Sequence, residues 1–92
     1  MRLRDVIGNL GGLPEESTIY VQEPWSYESN AIVECEPDEG GLPEKAKAAG
    51  LVYFIEVAIA REFLDGWVGN LANPPTVDEK CARLIQYAVN DA

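Results

Sequence analysis

Carboxylates are the side chains in this sequence that are numerous enough to do chemistry together. The chain has 92 residues, with 16 Asp and Glu, 7 Lys and Arg, and no histidine. Glu34 and Glu36 share one face of a predicted strand, and Glu56 and Glu62 lie on later elements. A catalytic pair of carboxylates needs one pKa raised by burial. The pattern favours a solvated acidic face instead, so a small carboxylate-dependent enzyme is the least favoured hypothesis.

Other kinds of catalytic chemistry lack their usual residues. The absence of histidine removes the most common general base and the most common zinc ligand. The pairs Gly11-Gly12 and Gly40-Gly41 lack the spacing of a phosphate-binding loop. Cys35 and Cys81 are expected to be reduced thiols in or near the core. We therefore predict a protein that is not an enzyme and uses no cofactor or metal ion.

A polar loop over residues 23–30 carries two aromatic residues between acidic ones. Large aromatic side chains on surface loops are common at the energetic centres of interfaces. Flanking acids suit a cationic partner, which can be steered by charge and can contact the aromatic rings. The predicted partner-binding residues are Trp25, Tyr27, Glu28, Glu34 and Glu36. The alternative for the tryptophan is that it folds back and closes one end of a small core.

The net charge of −9 indicates the class of partner. It disfavours nucleic acid and anionic membranes, which bind basic surfaces, and it favours a basic protein. No run of 18 apolar residues is present to span a membrane. The N-terminus also has no unbroken apolar segment of the kind found in secretory signals. We expect a single domain over residues 1–92, located in the cytoplasm.

Hydrophobic periodicity predicts the elements that position these residues. The stretch 51–71 holds the longest apolar run and is expected at the centre of the core. The predicted elements are a helix over 2–10, strands over 18–22 and 31–36, a short helix over 44–49, a strand over 51–57, a helix from about residue 58, and a final helix over 76–90. One continuous helix over 44–68 is the alternative, which Gly50 in its interior disfavours.

This order of elements predicts an α+β fold. A small three-stranded, mainly antiparallel sheet would be packed by an N-terminal helix and two C-terminal helices. Strict alternation along the third strand places Val52 and Phe54 on the face away from the helices. Together with Ile32 they would form an apolar patch, which suggests a homodimer that buries it. A homo-oligomeric structural module is therefore the alternative function.

In size, negative charge and α+β pattern, the whole chain resembles the small acidic immunity proteins that bacteria make against toxins. It is also similar to small bacterial α+β domains that share a shape and no known activity. The first resemblance implies an inhibitor that binds a basic toxin. We accordingly predict a non-enzymatic, acidic protein-interaction domain with a basic partner.

Overall fold

The three-stranded sheet and its helices follow the predicted α+β architecture. The computed structural model describes residues 1–91. The sheet is antiparallel with strand order β2-β1-β3, and an N-terminal helix and two C-terminal helices pack on it. In chain order the elements are α1 (Leu3–Gly8), a 3-10 turn (Leu10–Gly12), β1 (Thr18–Val21), β2 (Ala31–Glu34), α2 (Glu44–Ala49), β3 (Val52–Glu56), α3 (Val57–Val68) and α4 (Val77–Asp91).

Gly50 decides between the two alternatives for the middle of the chain. Its φ of 71° is left-handed, a conformation that glycine adopts without steric cost. The turn closes with a hydrogen bond from the Leu51 amide to the Ala46 carbonyl at 2.9 Å. Helix α2 therefore ends at Ala49, and the chain continues as the strand β3. The alternative of one helix over 44–68 is wrong.

The central strand β1 sorts its residues between the two faces of the sheet. Ile19 and Val21 belong to the main core, which is formed with α1, α3 and α4. Tyr20 lies on the opposite face in a smaller cluster with Ala46 of α2 and Leu51. Both faces of β1 are therefore covered, and its four residues are all buried. The short helix α2 is the element that covers the second face.

A register shift in β3 overturns the predicted alternation of that strand. Ile19 pairs with Ile55 and Tyr20 pairs with Tyr53, so Phe54 is the additional residue of a bulge. Phe54 and Ile55 are 1% and 5% exposed, and both belong to the main core. Tyr53, which strict alternation assigned to the core, is 41% exposed.

The predicted dimer patch of Ile32, Val52 and Phe54 is therefore wrong as a shared exposed surface. Phe54 is buried on the helix side, and Val52 pairs with the core residue Val21. Ile32 lies on the other face and packs against the cluster around Tyr20. The bulge and the cover from α2 are the physical reasons for this difference.

The two cysteines differ in their environments. Both thiols are free, but Cys81 is buried in α4 whereas Cys35 is exposed just after β2. The expectation that both lie in or near the core holds for Cys81 only. Within residues 1–91, none of the helices is both long enough and apolar enough to cross a membrane.

Candidate functional site

The five predicted partner-binding residues occupy two separate places. Trp25, Tyr27 and Glu28 lie in the loop between β1 and β2, and this loop rests on the first turn of α1. Glu34 is the last residue of β2 and lies beside Thr18 at the other end of β1. Glu36 comes two residues after the strand, which is shorter than the predicted 31–36. The sheet therefore separates the aromatic part of the prediction from its most acidic part.

Hydrogen bonds hold the loop in one shape against α1. The Leu3 amide donates to the Ser29 carbonyl at 2.9 Å, and the Arg4 amide donates to the Tyr27 carbonyl at 3.0 Å. These bonds satisfy two of the amides that the first turn of any helix leaves free. Within the loop, the Ser29 hydroxyl donates to the Pro24 carbonyl at 2.9 Å. The loop is therefore ordered by backbone contacts as well as by its aromatic side chains.

Trp25 folds back and packs against the main core, in the direction of the alternative for this residue. Its ring meets the Phe54 ring edge to face, with the centroids 4.8 Å apart and the planes at 84°. The side chain is half-buried and packs against the main core. Edge-to-face pairs of this kind stabilise a core by about 0.5–1.5 kcal/mol beyond their buried area. The indole contributes to the stability of the fold as well as to its surface.

The two arginines of the N-terminus already contact the rest of the loop. The Arg4 guanidinium lies 4.5 Å from the centroid of the Tyr27 ring, and it also donates to both carboxylate oxygens of Asp78 in α4, at 3.0 and 3.1 Å. Arg2 pairs with Glu28 at 3.7 Å. A cationic partner would have to compete with these contacts, so the loop is less available to it than the sequence suggested.

An acidic group of residues lies on the face of the sheet opposite α3 and α4. Thr18 pairs with Glu34 on one side and with Glu56 on the other, so the three side chains leave the same face. The Thr18 hydroxyl also donates to a Glu36 carboxylate oxygen at 3.4 Å. We call Glu34, Glu36 and Glu56 the acidic row. Glu34 and Glu56 are the last residues of the two edge strands, and Glu36 follows β2 and is held by its bond to Thr18 of the central strand.

The acidic row is only partly neutralised. Lys45 of α2 pairs with Glu34 at 3.1 Å, and in the described part of the chain Glu36 and Glu56 have no ion pair. Glu36 and Glu56 are exposed, and Glu34 keeps 33% of its side chain in solvent. Three carboxylates therefore face solvent beside one lysine. This arrangement concentrates negative charge on an ordered surface.

Two tyrosines border the acidic row. The rings of Tyr20 and Tyr53 meet edge to face, with their centroids 6.4 Å apart. Burial raises the pKa of both hydroxyls above the ordinary value of 10.0, and the Glu36 and Glu56 carboxylates raise the pKa of Tyr20 and Tyr53 respectively. Both phenols therefore stay protonated at neutral pH. The exposed Tyr53 ring therefore adds an aromatic surface next to the acidic row.

The chemistry available at the acidic row is the binding of cations presented by another molecule. Among residues 1–91 there is no group of three or more carboxylates or cysteines placed to hold a metal ion. Carboxylates in solvent accept hydrogen bonds from Lys and Arg, and the Tyr53 ring offers a face for a cation.

Lys45 and Tyr53 belong to this surface and the buried Thr18 lies beneath it, but none of the three was among the predicted site residues. Only the strand register shows that Thr18 lies between two glutamates. The exposure of Tyr53 depends on the bulge in β3, for which the residue pattern gives no signal.

A groove lies between α3 and α4, apart from the acidic row. It has a volume of about 710 Å³, and its apolar lining is Ile59, Phe63, Trp67 and Tyr87. The Phe63 and Tyr87 rings are stacked, with their centroids 4.1 Å apart and the planes at 22°. Phe63 and Trp67 are half-buried at the edge of the main core. We call this feature the aromatic groove.

No protein-family model, no curated protein and no solved structure matched the chain.

Proposed function

We propose that this protein is a non-enzymatic, acidic protein-interaction domain that binds a basic partner through the acidic row. The observation that carries the proposal is the placement of Glu34 and Glu56 on either side of Thr18, with Glu36 bonded to the same threonine. A single lysine lies among these three carboxylates. Glu36 and Glu56 are therefore free to pair with Lys or Arg side chains of another protein.

The sheet gives the acidic row a defined spacing. Neighbouring strands lie about 4.8 Å apart, so Glu34 and Glu56 are separated by roughly 10 Å across β1. Two Lys or Arg side chains of a partner fit this spacing, one at the unpaired Glu56 and one at the Glu34 oxygen that Lys45 leaves open. Because the backbone is already ordered, binding requires only side chains to adjust, which lowers the entropic cost of association.

The charge of the whole chain supports the same class of partner. A net charge of −9 attracts basic proteins over distances of about one Debye length, roughly 8 Å at physiological salt. Charge complementarity of this kind raises the rate of association and selects against acidic partners. An inhibitor of a basic toxin, as in the bacterial immunity proteins, is the narrower form of the proposal.

Exposure of the carboxylates favours binding over catalysis. A catalytic carboxylate is tuned by desolvation, whereas Glu36 and Glu56 are exposed. Cys35 is also exposed and unpaired, which fits a reducing compartment such as the cytoplasm. These features support an interaction domain that works inside the cell.

The proposal is tested by affinity capture with a matched pair of variants. In the test variant, Glu34→Gln, Glu36→Gln and Glu56→Gln neutralise the acidic row. In the control, Glu16→Gln, Glu23→Gln and Asp65→Asn remove the same charge from exposed positions elsewhere. The immobilised proteins are incubated with host lysate, and captured proteins are identified by mass spectrometry.

We expect a basic protein that the wild type and the control capture and that the test variant loses. Its recovery should also fall at about 0.5 M salt, where the Debye length is only about 4 Å. Equal capture by the test variant would contradict the proposal. Turnover of a small substrate by the purified chain would favour the carboxylate-dependent enzyme instead.

A further inference from the structure

The aromatic groove presents an apolar surface that the fold leaves open. Ile59, Phe63 and Trp67 form one stripe along α3, and Tyr87 faces them from α4. Ile59 is 38% exposed, and the aromatic rings are only half-buried. Aromatic side chains of this kind are enriched at the centres of protein interfaces. The groove is therefore suited to a second protein surface.

Two opposite charges line the same groove. Glu62 belongs to α3 and Arg83 to α4, and neither forms an ion pair within residues 1–91. The Arg83 guanidinium lies 5.3 Å from the Phe63 centroid and donates to the Gln86 side chain at 2.9 Å. Glu79, one turn before Arg83, instead accepts a hydrogen bond from the Thr76 amide at 2.9 Å. The guanidinium thus keeps most of its donors for other contacts.

We propose that the aromatic groove is the interface of a homodimer in which two copies pack α3 and α4 about a twofold axis. Twofold symmetry brings the same surface of both copies together, so the surface must be complementary to itself. Glu62 of one copy can then meet the partner's Arg83, and Arg83 can meet the partner's Glu62. The aromatic stripe is buried between these two pairs.

The mixed charge of the groove identifies a second copy as its occupant. A basic partner would bring its charge against Arg83, and an acidic one would bring its charge against Glu62. A partner surface that carries one acidic and one basic residue can pair with both Glu62 and Arg83. The aromatic groove of a second copy is such a surface. The acidic row lies on the other face of the sheet and stays exposed in the dimer. The dimer is therefore independent of the proposed binding of a basic partner.

Charge exchange between variants gives a direct test. Glu62→Arg makes the groove doubly positive, and Arg83→Glu makes it doubly negative. Light scattering coupled to size exclusion, over a concentration series, should give the mass of two chains for the wild type. Each single variant should dimerise at least ~10-fold more weakly, because like charges then face each other across the interface.

The rescue experiments separate charge pairing from damage to the fold. An equal mixture of the two single variants should form a heterodimer, and the double variant Glu62→Arg/Arg83→Glu should recover the homodimer. The controls Glu16→Arg and Lys47→Glu change the charge equally outside the groove and should remain dimeric. Circular dichroism verifies that each variant is folded.

A wild type that stays monomeric at every concentration would overturn this proposal. So would a mixture of the single variants that dimerises no better than each variant alone. Neutralising the acidic row should leave the mass unchanged, so this proposal and the basic-partner proposal can fail separately.

Discussion

Tyr20 lies at the centre of the sheet with its ring buried. Its hydroxyl makes no hydrogen bond of regular geometry among residues 1–91. Burial has the larger effect on the pKa of that hydroxyl, which it raises, although the neighbouring Thr18 side chain is close enough to lower it. A buried polar group in this state costs about 1–3 kcal/mol of stability. Tyr20 and Thr18 are both buried on the same face of β1, and Thr18 bonds to Glu36. Polar side chains therefore lie directly beneath the acidic row. The Tyr20 hydroxyl therefore lowers the stability of the fold at the position where the sheet supports the acidic row.

Tyr20→Phe removes that hydroxyl and keeps the ring. We expect the free energy of unfolding to stay the same or to rise by up to about 1 kcal/mol, because no hydrogen bond is lost. Urea denaturation measures the change. Tyr53→Phe is the matched control on the exposed neighbour and should stay within about 0.5 kcal/mol of the wild type. A loss of more than about 1 kcal/mol for Tyr20→Phe would mean that the hydroxyl is bonded in solution.

Cys81 makes stability depend on alkaline pH. Burial, followed by the Asp78 carboxylate, raises the pKa of its thiol from 9.0 to about 11, against an opposing effect of Arg4. The unfolded chain loses this proton near pH 9, whereas the folded chain holds it until about pH 11. The unfolded state is therefore favoured as the pH rises through this range.

We expect the wild type to lose on the order of 2 kcal/mol of stability between about pH 8 and pH 11 from this group. Cys81→Ala should lower stability at pH 8 because it leaves a cavity, but its decline with pH should be smaller. Urea denaturation at several pH values gives both slopes. Cys35→Ala, which removes the exposed thiol and keeps Cys81, is the control and should decline with pH more steeply than Cys81→Ala. Equal slopes for Cys81→Ala and wild type would refute this account.

Among the elements, α3 contains a glycine that packing does not require. A Cβ added at Gly66 would meet nothing within 4 Å, although the residue is inside a helix. Glycine there lowers helix stability by about 1 kcal/mol relative to alanine. The open space at Gly66 is part of the aromatic groove, which is where a second copy would pack.

Gly66→Ala should therefore raise the free energy of unfolding by about 0.5–1 kcal/mol. Gly50→Ala is the contrasting variant, since a φ of 71° is unfavourable for alanine by about 1–2 kcal/mol. Thermal denaturation at low protein concentration should show opposite shifts of the midpoint for the two variants. A stabilised Gly50→Ala would mean that the C-terminus of α2 adopts another conformation.

The bulge in β3 determines which residues of this strand are buried and which are exposed. It turns Phe54 and Ile55 into core residues and exposes Tyr53 beside the acidic row. The consequence is that one strand contributes both to the centre of the core and to the proposed binding face. The same bulge removes the apolar patch on which the first dimer hypothesis rested.

At the scale of the whole molecule, two surfaces lie on opposite sides of the sheet. The acidic row occupies the face that carries Thr18 and Tyr20, whereas α3 and α4 pack on the face that carries Ile19. A dimer through the aromatic groove would therefore present two acidic rows, one on each copy. Such an assembly could hold two basic partners without rearranging the fold.

These two interactions should respond differently to salt. Raising the salt concentration to about 0.5 M should weaken the binding of a basic partner, because attraction between exposed charges is screened. Dimerisation should persist, since burial of aromatic surface is not screened and the repulsion between two chains of charge −9 is reduced. Light scattering and the capture experiment at two salt concentrations test this difference. Loss of the dimer at high salt would contradict it.

Local patterns in the sequence were enough for the order of elements and the fold class. The helical stripes and the glycine that ends α2 depend on neighbours a few residues apart. So do the reciprocal hydrogen bonds between Thr76 and Glu79 that cap the start of α4. The acidic sign of the surface also follows from composition alone. Local chemistry determines these features because helix caps and turns are stabilised within one or two turns of chain.

Only the tertiary structure decided which residues share a surface. The alignment of Glu34 and Glu56 on Thr18 requires the strand order and the register. The burial of Phe54 requires the bulge, and the pairing of Arg4 with Tyr27 and Asp78 joins residues far apart in the chain. These contacts have no local signal, because they depend on how whole elements pack and a shift of one residue moves a side chain to the other face.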